Sequence, residues 1–215
     1  METILPYLIF ATAAYLLGAV PFGFIVARAR GIDIRTVGSG NIGATNVLRS
    51  VGKSWGILTL ILDALKGLVP TIVFPIIAAK YFSIANPDIM KVSCACAAIL
   101  GHNFPVYLKF KGGKGVATTA GALIGLAPAA LGIGLAAFVI IFILSRMVSL
   151  GSITAAIVIP VIAWGQLYKA ETHPAGCRLI PIVLTILGIL IIWRHRANIG
   201  RIINGTENRI KFGRK

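Results

Sequence analysis

At 215 residues the chain has the length of one domain, and with 57% hydrophobic residues and a mean hydropathy of +0.90 it is not an ordinary soluble globule. Six acidic residues face 21 lysines and arginines, giving a formal charge of +15. Nucleic-acid binding is disfavoured because the basic residues sit beside apolar runs without interleaved aromatics; a membrane protein with basic loops fits instead.

In chain order, Ile4–Ala27 is apolar for the length of a spanning helix. It is expected to be a span and not a cleaved signal, since no basic segment precedes it and Arg28 and Arg30 follow it. Those charges place the N-terminus outside and Arg28–Lys53 inside. Trp55–Ala79 then crosses outward, Lys80–Pro87 turns, and Ile89–Leu108 returns. Val116–Leu144 is interrupted by Pro128, and Arg146 must lie on the same side as Lys114. The run is therefore expected to be two short helices of roughly 22 Å each, at 1.5 Å per residue. Leu150–Tyr168 goes out, Lys169–Arg178 forms an external loop, Leu179–Trp193 comes back, and the basic tail stays inside. Seven spans result. Of the 21 lysines and arginines, 16 are counted inside and four outside, and Lys66 lies within a span. No internal repeat or low-complexity segment is visible.

The loop between the first two spans carries GSGNIGATNVLR, Gly38–Arg49. It matches G-x-G-x-x-G, with Asp63 about twenty residues on, but spanning helices flank it where a dinucleotide site needs a strand–turn–helix. A P-loop also fails, because Lys114 is followed by Gly115. What the segment does offer is glycine backbone open to an anion, short donors from Ser39, Asn41, Thr45 and Asn46, and the guanidinium fork of Arg49. A helix starting at Ala44 would add a partial positive charge.

A second basic segment, GHNFPVYLKFKGGKG, ends the third span. Lys109 and Lys111 read as positive-inside residues. Lys114, with Gly113 and Gly115 on either side, is placed to meet an anion together with backbone amides. His102 and Asn103, before Pro105, read as structural groups. Ser149 and Ser152 lie at the mouth of the next helix, where capping is the simpler reading and donation to a ligand the other. In the tail, His195 and Asn198 stand three apart, before Gly205-Thr206-Glu207. Asp63 and Lys66 are also three apart, inside a span, and are either functional or an ion pair serving packing. Cys94, Cys96 and Cys177 form no metal or disulfide pattern, and Cys94 and Cys96 are expected to pack as small buried groups.

Taken in order, GSGNIGATNVLR, GHNFPVYLKFKGGKGVAT, SLGSI and H-R-x-N-I-x-R…GTE resemble the successive motifs of the bacterial acyl-phosphate:glycerol-3-phosphate acyltransferases, the PlsY family. The resemblance runs from Ser39 through Glu207, and the tail beyond it looks like a basic extension. It implies an all-α polytopic membrane protein, one acyltransferase domain over 1–215, in the bacterial plasma (inner) membrane with the site on the cytoplasmic face. It implies transfer of a fatty acyl group from acyl-phosphate to the 1-hydroxyl of glycerol-3-phosphate, giving lysophosphatidate and phosphate in phospholipid synthesis. No cofactor or metal is implied, and no partner beyond the two substrates and the bilayer; nucleic acid is not among them and a monomer is expected. By position it assigns Lys114, His195, Arg49 and Ser39 to catalysis, and Asn41, Thr45, Ser149, Asn198, Gly113 and Glu207 to substrate binding.

The chemistry agrees. Both reactants are anionic, and the mixed anhydride is already activated, so positioning and electrostatics can supply most of the acceleration without a covalent intermediate. The proton of the glycerol hydroxyl goes to His195 or to a substrate phosphate oxygen. The His-x4-Asp pattern of thioester-using glycerophosphate acyltransferases is absent, since none of His102, His173 or His195 has Asp five residues on. Two competing readings are a phosphate or phospholipid transporter and a polybasic membrane scaffold. The first ordinarily carries internal repeats and midplane sites, which this sequence lacks.

Overall fold

The computed structural model describes residues 4–169 and 178–210. Cys177, His173 and the last five residues of the basic tail lie outside them. The described residues are helical, in the order α1 (Leu5–Ala19), α2 (Phe22–Arg28), α3 (Ala44–Ser50), α4 (Lys53–Tyr81), α5 (Pro87–Asn103), a 3-10 turn (Val106–Leu108), α6 (Val116–Leu126), α7 (Pro128–Ser145), α8 (Val148–Lys169), α9 (Leu179–Arg194) and α10 (Arg196–Ile203). Two compact units meet in sequence at Leu126 and Ala127, and each is described by itself.

Among the described residues, five stretches are long and apolar enough to cross a membrane: Leu5–Arg28, Lys53–Tyr81, Pro87–Leu108, Pro128–Ser145 and Val148–Tyr168. A sixth exists if α9 and α10, bent by 57°, count as one. Their outer faces carry exposed Leu8, Ile61, Ile76, Ile143, Val161 and Ile189, which a lipid solvent accommodates and water does not. The two helices expected around Pro128 exist but are unequal. With 11 residues α6 spans about 16 Å, well short of a hydrocarbon core of about 30 Å, whereas α7 has 18 residues. Pro128 causes the break by opening a new helix at its first position, where its missing N–H costs nothing.

In the first unit, small residues let backbones touch, the usual means of packing helices where lipid removes the hydrophobic drive. A Cβ on Gly18 would collide with the backbone of Ala98, and one on Gly121 with the carbonyl of Ala64. So α1 lies against α5, and α6 against α4. Cys94 packs as expected, fully buried with Ala14, Ala78 and Met90, while Cys96 is only half-buried. Pro21 separates α1 from α2. The resulting corner places α2 beneath the glycine-rich loop.

In the second unit, α8 packs with α7 and α9. Glycines again mark the contacts: a Cβ on Gly134 would strike Ile159, and one on Gly188 the carbonyl of Ala156. Trp164 Nε1 donates to Thr185 Oγ1 at 3.1 Å.

Candidate active site

The Gly38–Arg49 segment is a loop followed by α3, which begins at Ala44 as the sequence suggested. Gly38 (φ +59°) and Gly40 (φ +68°) adopt the left-handed conformation that L side chains resist. Asn46 organises the loop from inside. Its Oδ1 accepts from the Ser39 N–H at 3.0 Å, and its Nδ2 lies 3.1, 3.1 and 2.9 Å from the carbonyls of Ile34, Val37 and Asn41. Asn46 is buried, so the expectation of a ligand-facing donor is corrected: its polar atoms are used by the loop itself. Asn41 is likewise engaged, its Oδ1 accepting from the Gly43 N–H at 2.7 Å. Ser39 and Arg49 are exposed on this frame, and Thr45 is half-buried in the first turn of α3. Beneath the loop, Val26, Ala27, Ile34, Ile42 and Val47 form an apolar core. At its rim, Asp33 is hydrogen-bonded by the Arg35 side chain and backbone, which hold its carboxyl well below the usual range.

Leu108 packs on that same core, so the second basic segment comes to the first loop within one unit. After Pro105 the chain doubles back tightly. Phe110 N–H donates to the Pro105 carbonyl at 2.9 Å, with Lys109 (φ 51°) and Phe110 (φ 62°) both left-handed. The glycines that follow are dictated by close approach. A Cβ on Gly112 would meet the His102 carbonyl, one on Gly113 would strike His102 Nε2, and one on Gly115 would crowd the Asn103 amide. Gly113 N–H also donates to the His102 carbonyl at 3.1 Å. Gly113 is thus seated against His102, and the half-buried Lys114 follows it. Lys109 and Lys111 are exposed, as positive-inside residues should be. His102 is buried, with Nδ1 3.6 Å from Asp63 Oδ1, and Asp63 pairs with Lys66 at 2.8 Å.

The second unit gathers the remaining residues. α10 ends in a Schellman arrangement, with Thr206 N–H on the Arg201 carbonyl, Gly205 N–H on the Ile202 carbonyl, and Gly205 left-handed. This turn sends Glu207 back toward the helices. Its Oε1 accepts from Ser149 Oγ at 2.8 Å and Asn198 Nδ2 at 2.7 Å, and Oε2 accepts from Arg201 Nε at 2.7 Å. Ile210 N–H closes the strap on the Arg146 carbonyl at 2.8 Å. The capping expectation changes here. Ser149 and Ser152 do not cap: α8 already starts at Val148, Ser149 donates to Glu207, and Ser152 bonds back to the Val148 carbonyl. Glu207, expected among the substrate-binding residues, accepts from both Ser149 and Asn198. Burial alone would raise its carboxyl pKa, but the donors Asn198, Ser149 and Arg201 hold it below the ordinary value. Arg201 was not singled out by its position in the basic tail, though it closes the H-R-x-N-I-x-R spacing.

His195 sits at the break between α9 and α10, buried, with Nδ1 2.8 Å from the Ile191 carbonyl. A carbonyl can only accept, so Nδ1 carries the proton and Nε2 is the basic nitrogen of the neutral ring. Asn198 N–H donates to the His195 carbonyl at 2.8 Å, which places the two residues on one turn.

Residues 8–205 match the family model for glycerol-3-phosphate acyltransferases. Glycerol-3-phosphate acyltransferases of Geotalea daltonii and Geobacter metallireducens are 46% and 47% identical over 198 residues, covering 92% of this chain and 94% of each relative. A solved structure of PlsY (YgiH), described as an integral membrane glycerol 3-phosphate acyltransferase in its glycerol 3-phosphate form, aligns with a TM-score of 0.80 at 40% identity, covering 95% of this chain and 96% of its own. The lysophosphatidic acid form aligns with a TM-score of 0.78 at 38% identity, covering 95% of each chain. With the same helical organisation over nearly its whole length, the chain belongs to the glycerol-3-phosphate acyltransferase family, PlsY, of integral membrane enzymes.

Proposed function

We propose that the protein moves a fatty acyl group from acyl-phosphate to the 1-hydroxyl of glycerol-3-phosphate, releasing lysophosphatidate and inorganic phosphate for phospholipid synthesis. Family membership over residues 8–205 carries this reading, and the relative crystallised in glycerol 3-phosphate and lysophosphatidic acid forms supports acceptor and product. The hydroxyl oxygen attacks the acyl carbon, the bond from that carbon to the phosphate oxygen breaks, and phosphate leaves as a stable anion. Ser39, Arg49, Thr45 and Lys114, with the amides around Gly113, hold phosphate groups, and Asn41 keeps the glycine loop open to them. Ser149, His195 and Asn198 bind the glycerol phosphate, with Glu207 and Arg201 holding them in place. The hydroxyl proton passes to His195 Nε2 or to an oxygen of the departing phosphate; His195→Gln, which keeps a polar side chain without the imidazole base, separates the two routes.

We further propose one enzyme domain over 1–215, acting as a monomer in the bacterial plasma membrane. Its N-terminus is outside and its C-terminus and site are cytoplasmic, with α6 counted as a short seventh span. The positive-inside distribution supports that orientation. Purified protein given acyl-phosphate and glycerol-3-phosphate should form lysophosphatidate without metal or coenzyme A. Absence of product at saturating substrate overturns the reading. Cysteine labelling that puts positions 39 and 195 on opposite membrane faces overturns the topology.

A further inference from the structure

We propose that Asp63, Lys66 and His102 are positioning residues that hold the Ser39–Arg49 loop and the Lys114 loop in one fixed relation, as the reaction above requires of its two anion-binding segments. Asp63 and Lys66 stand one turn apart in the middle of α4, each 2% exposed, with Nζ 2.8 Å from Oδ1. His102 Nδ1 approaches the same Oδ1 at 3.6 Å. A buried ion pair is a poor device for stability alone, since apolar residues of equal volume serve as well or better. Within a membrane-spanning helix the cost of charge is higher still, which marks such residues as functional by default.

What the pair touches at each end gives it a purpose. On one side Lys66 Nζ donates to the Val20 carbonyl at 2.7 Å and lies 5.5 Å from the Phe22 ring centroid. Val20 is the corner between α1 and α2, next to Pro21, whose nitrogen has no hydrogen to donate. From that corner α2 runs under the glycine-rich loop so closely that a Cβ on Gly23 would strike the Ile42 carbonyl. On the other side His102 carries Gly113: its carbonyl accepts the Gly113 N–H, and its ring leaves no room for a Cβ there. One carboxylate therefore joins two arms. Lys66 reaches the frame of Ser39 and Arg49, and His102 reaches the seat of Lys114.

The test uses the full chain in lipid nanodiscs, with Asp63→Asn, Lys66→Met and the double variant, which removes both charges at near-constant volume. Inorganic phosphate affinity is measured by calorimetry, KM and kcat for each substrate by product formation, and folding by thermal unfolding. The expected result is a folded double variant whose phosphate Kd and KM for glycerol-3-phosphate rise about tenfold or more, with kcat falling less. His102→Phe, which keeps a ring but loses the Asp63 contact, should show the same pattern. A folded double variant with wild-type phosphate affinity and wild-type KM overturns the proposal. So does failure of every variant to fold, because the pair would then hold the bundle together rather than place the loops. Phosphate binding is read without turnover, so an inactive wild-type protein would sink the transfer reading and leave this result separately legible.

Discussion

The Ser149 hydroxyl donates to Glu207 Oε1 at 2.8 Å, joining residues 58 apart in sequence. That oxygen also accepts from Asn198, so one carboxylate engages two polar side chains from different helices. The Schellman turn at Gly205 makes this possible by reversing the chain after α10.

Glu207→Ala should therefore act through Ser149 and Asn198. It removes the carboxylate that accepts from Asn198, Ser149 and Arg201, and losing the partner of a buried polar group costs about 1–3 kcal/mol. Thermal unfolding should fall and KM for glycerol-3-phosphate should rise. Glu207→Gln keeps an acceptor oxygen and should lose less on both measures.

The same carboxylate predicts a pH dependence. Its folded pKa lies below the ordinary 4.5, so its contribution to stability is present above that value and is lost as pH falls through the lower folded value. The unfolding temperature of the wild type should decline below about pH 4.5 more steeply than that of Glu207→Gln. Parallel curves for the two proteins would contradict the assignment.

Arg49→Ala and Lys114→Ala should each lower kcat/KM by about tenfold or more, equivalent to about 1.4 kcal/mol of transition-state stabilisation. Arg49→Lys should recover only part of the loss, because a point charge does not replace a two-pronged donor. Both effects are read from initial rates of lysophosphatidate formation.

Gly113→Ala tests the seat beneath Lys114. The added methyl cannot be accommodated while His102 keeps its place, so the loop must move. Catalytic efficiency should drop about tenfold or more, comparable with removing the lysine amine itself. An unchanged rate would mean that the position of the loop does not matter.

Asn46→Ala should destabilise the first loop without touching substrate. It removes the acceptor of the Ser39 N–H and a donor surrounded by three carbonyls. A loss of about 1–3 kcal/mol is expected, measured by thermal unfolding, together with weaker phosphate inhibition.

The sequence by itself determined that the chain is helical and membrane-bound, and which segments carry polar chemistry. Hydropathy, charge asymmetry and glycine placement are local properties, and an apolar run must satisfy its backbone as a helix whatever surrounds it. Gly38, Gly40 and Gly115 stood out in the sequence only as backbone open to an anion, and it is the structure that shows all three left-handed. Only the tertiary structure decided what the polar side chains do. Asn46 faces inward to its own loop, Ser149 turns to Glu207 instead of capping, Arg201 joins them, and Asp63 meets His102 as well as Lys66. Each outcome depends on a partner from a distant segment or on a reversal of the chain, and hydrogen-bond satisfaction in a buried site is settled by three-dimensional neighbours, which spacing along the chain does not specify. The unequal lengths of α6 and α7 follow the same logic: Pro128 marks where the helix breaks, but how far each helix runs is set by what it packs against.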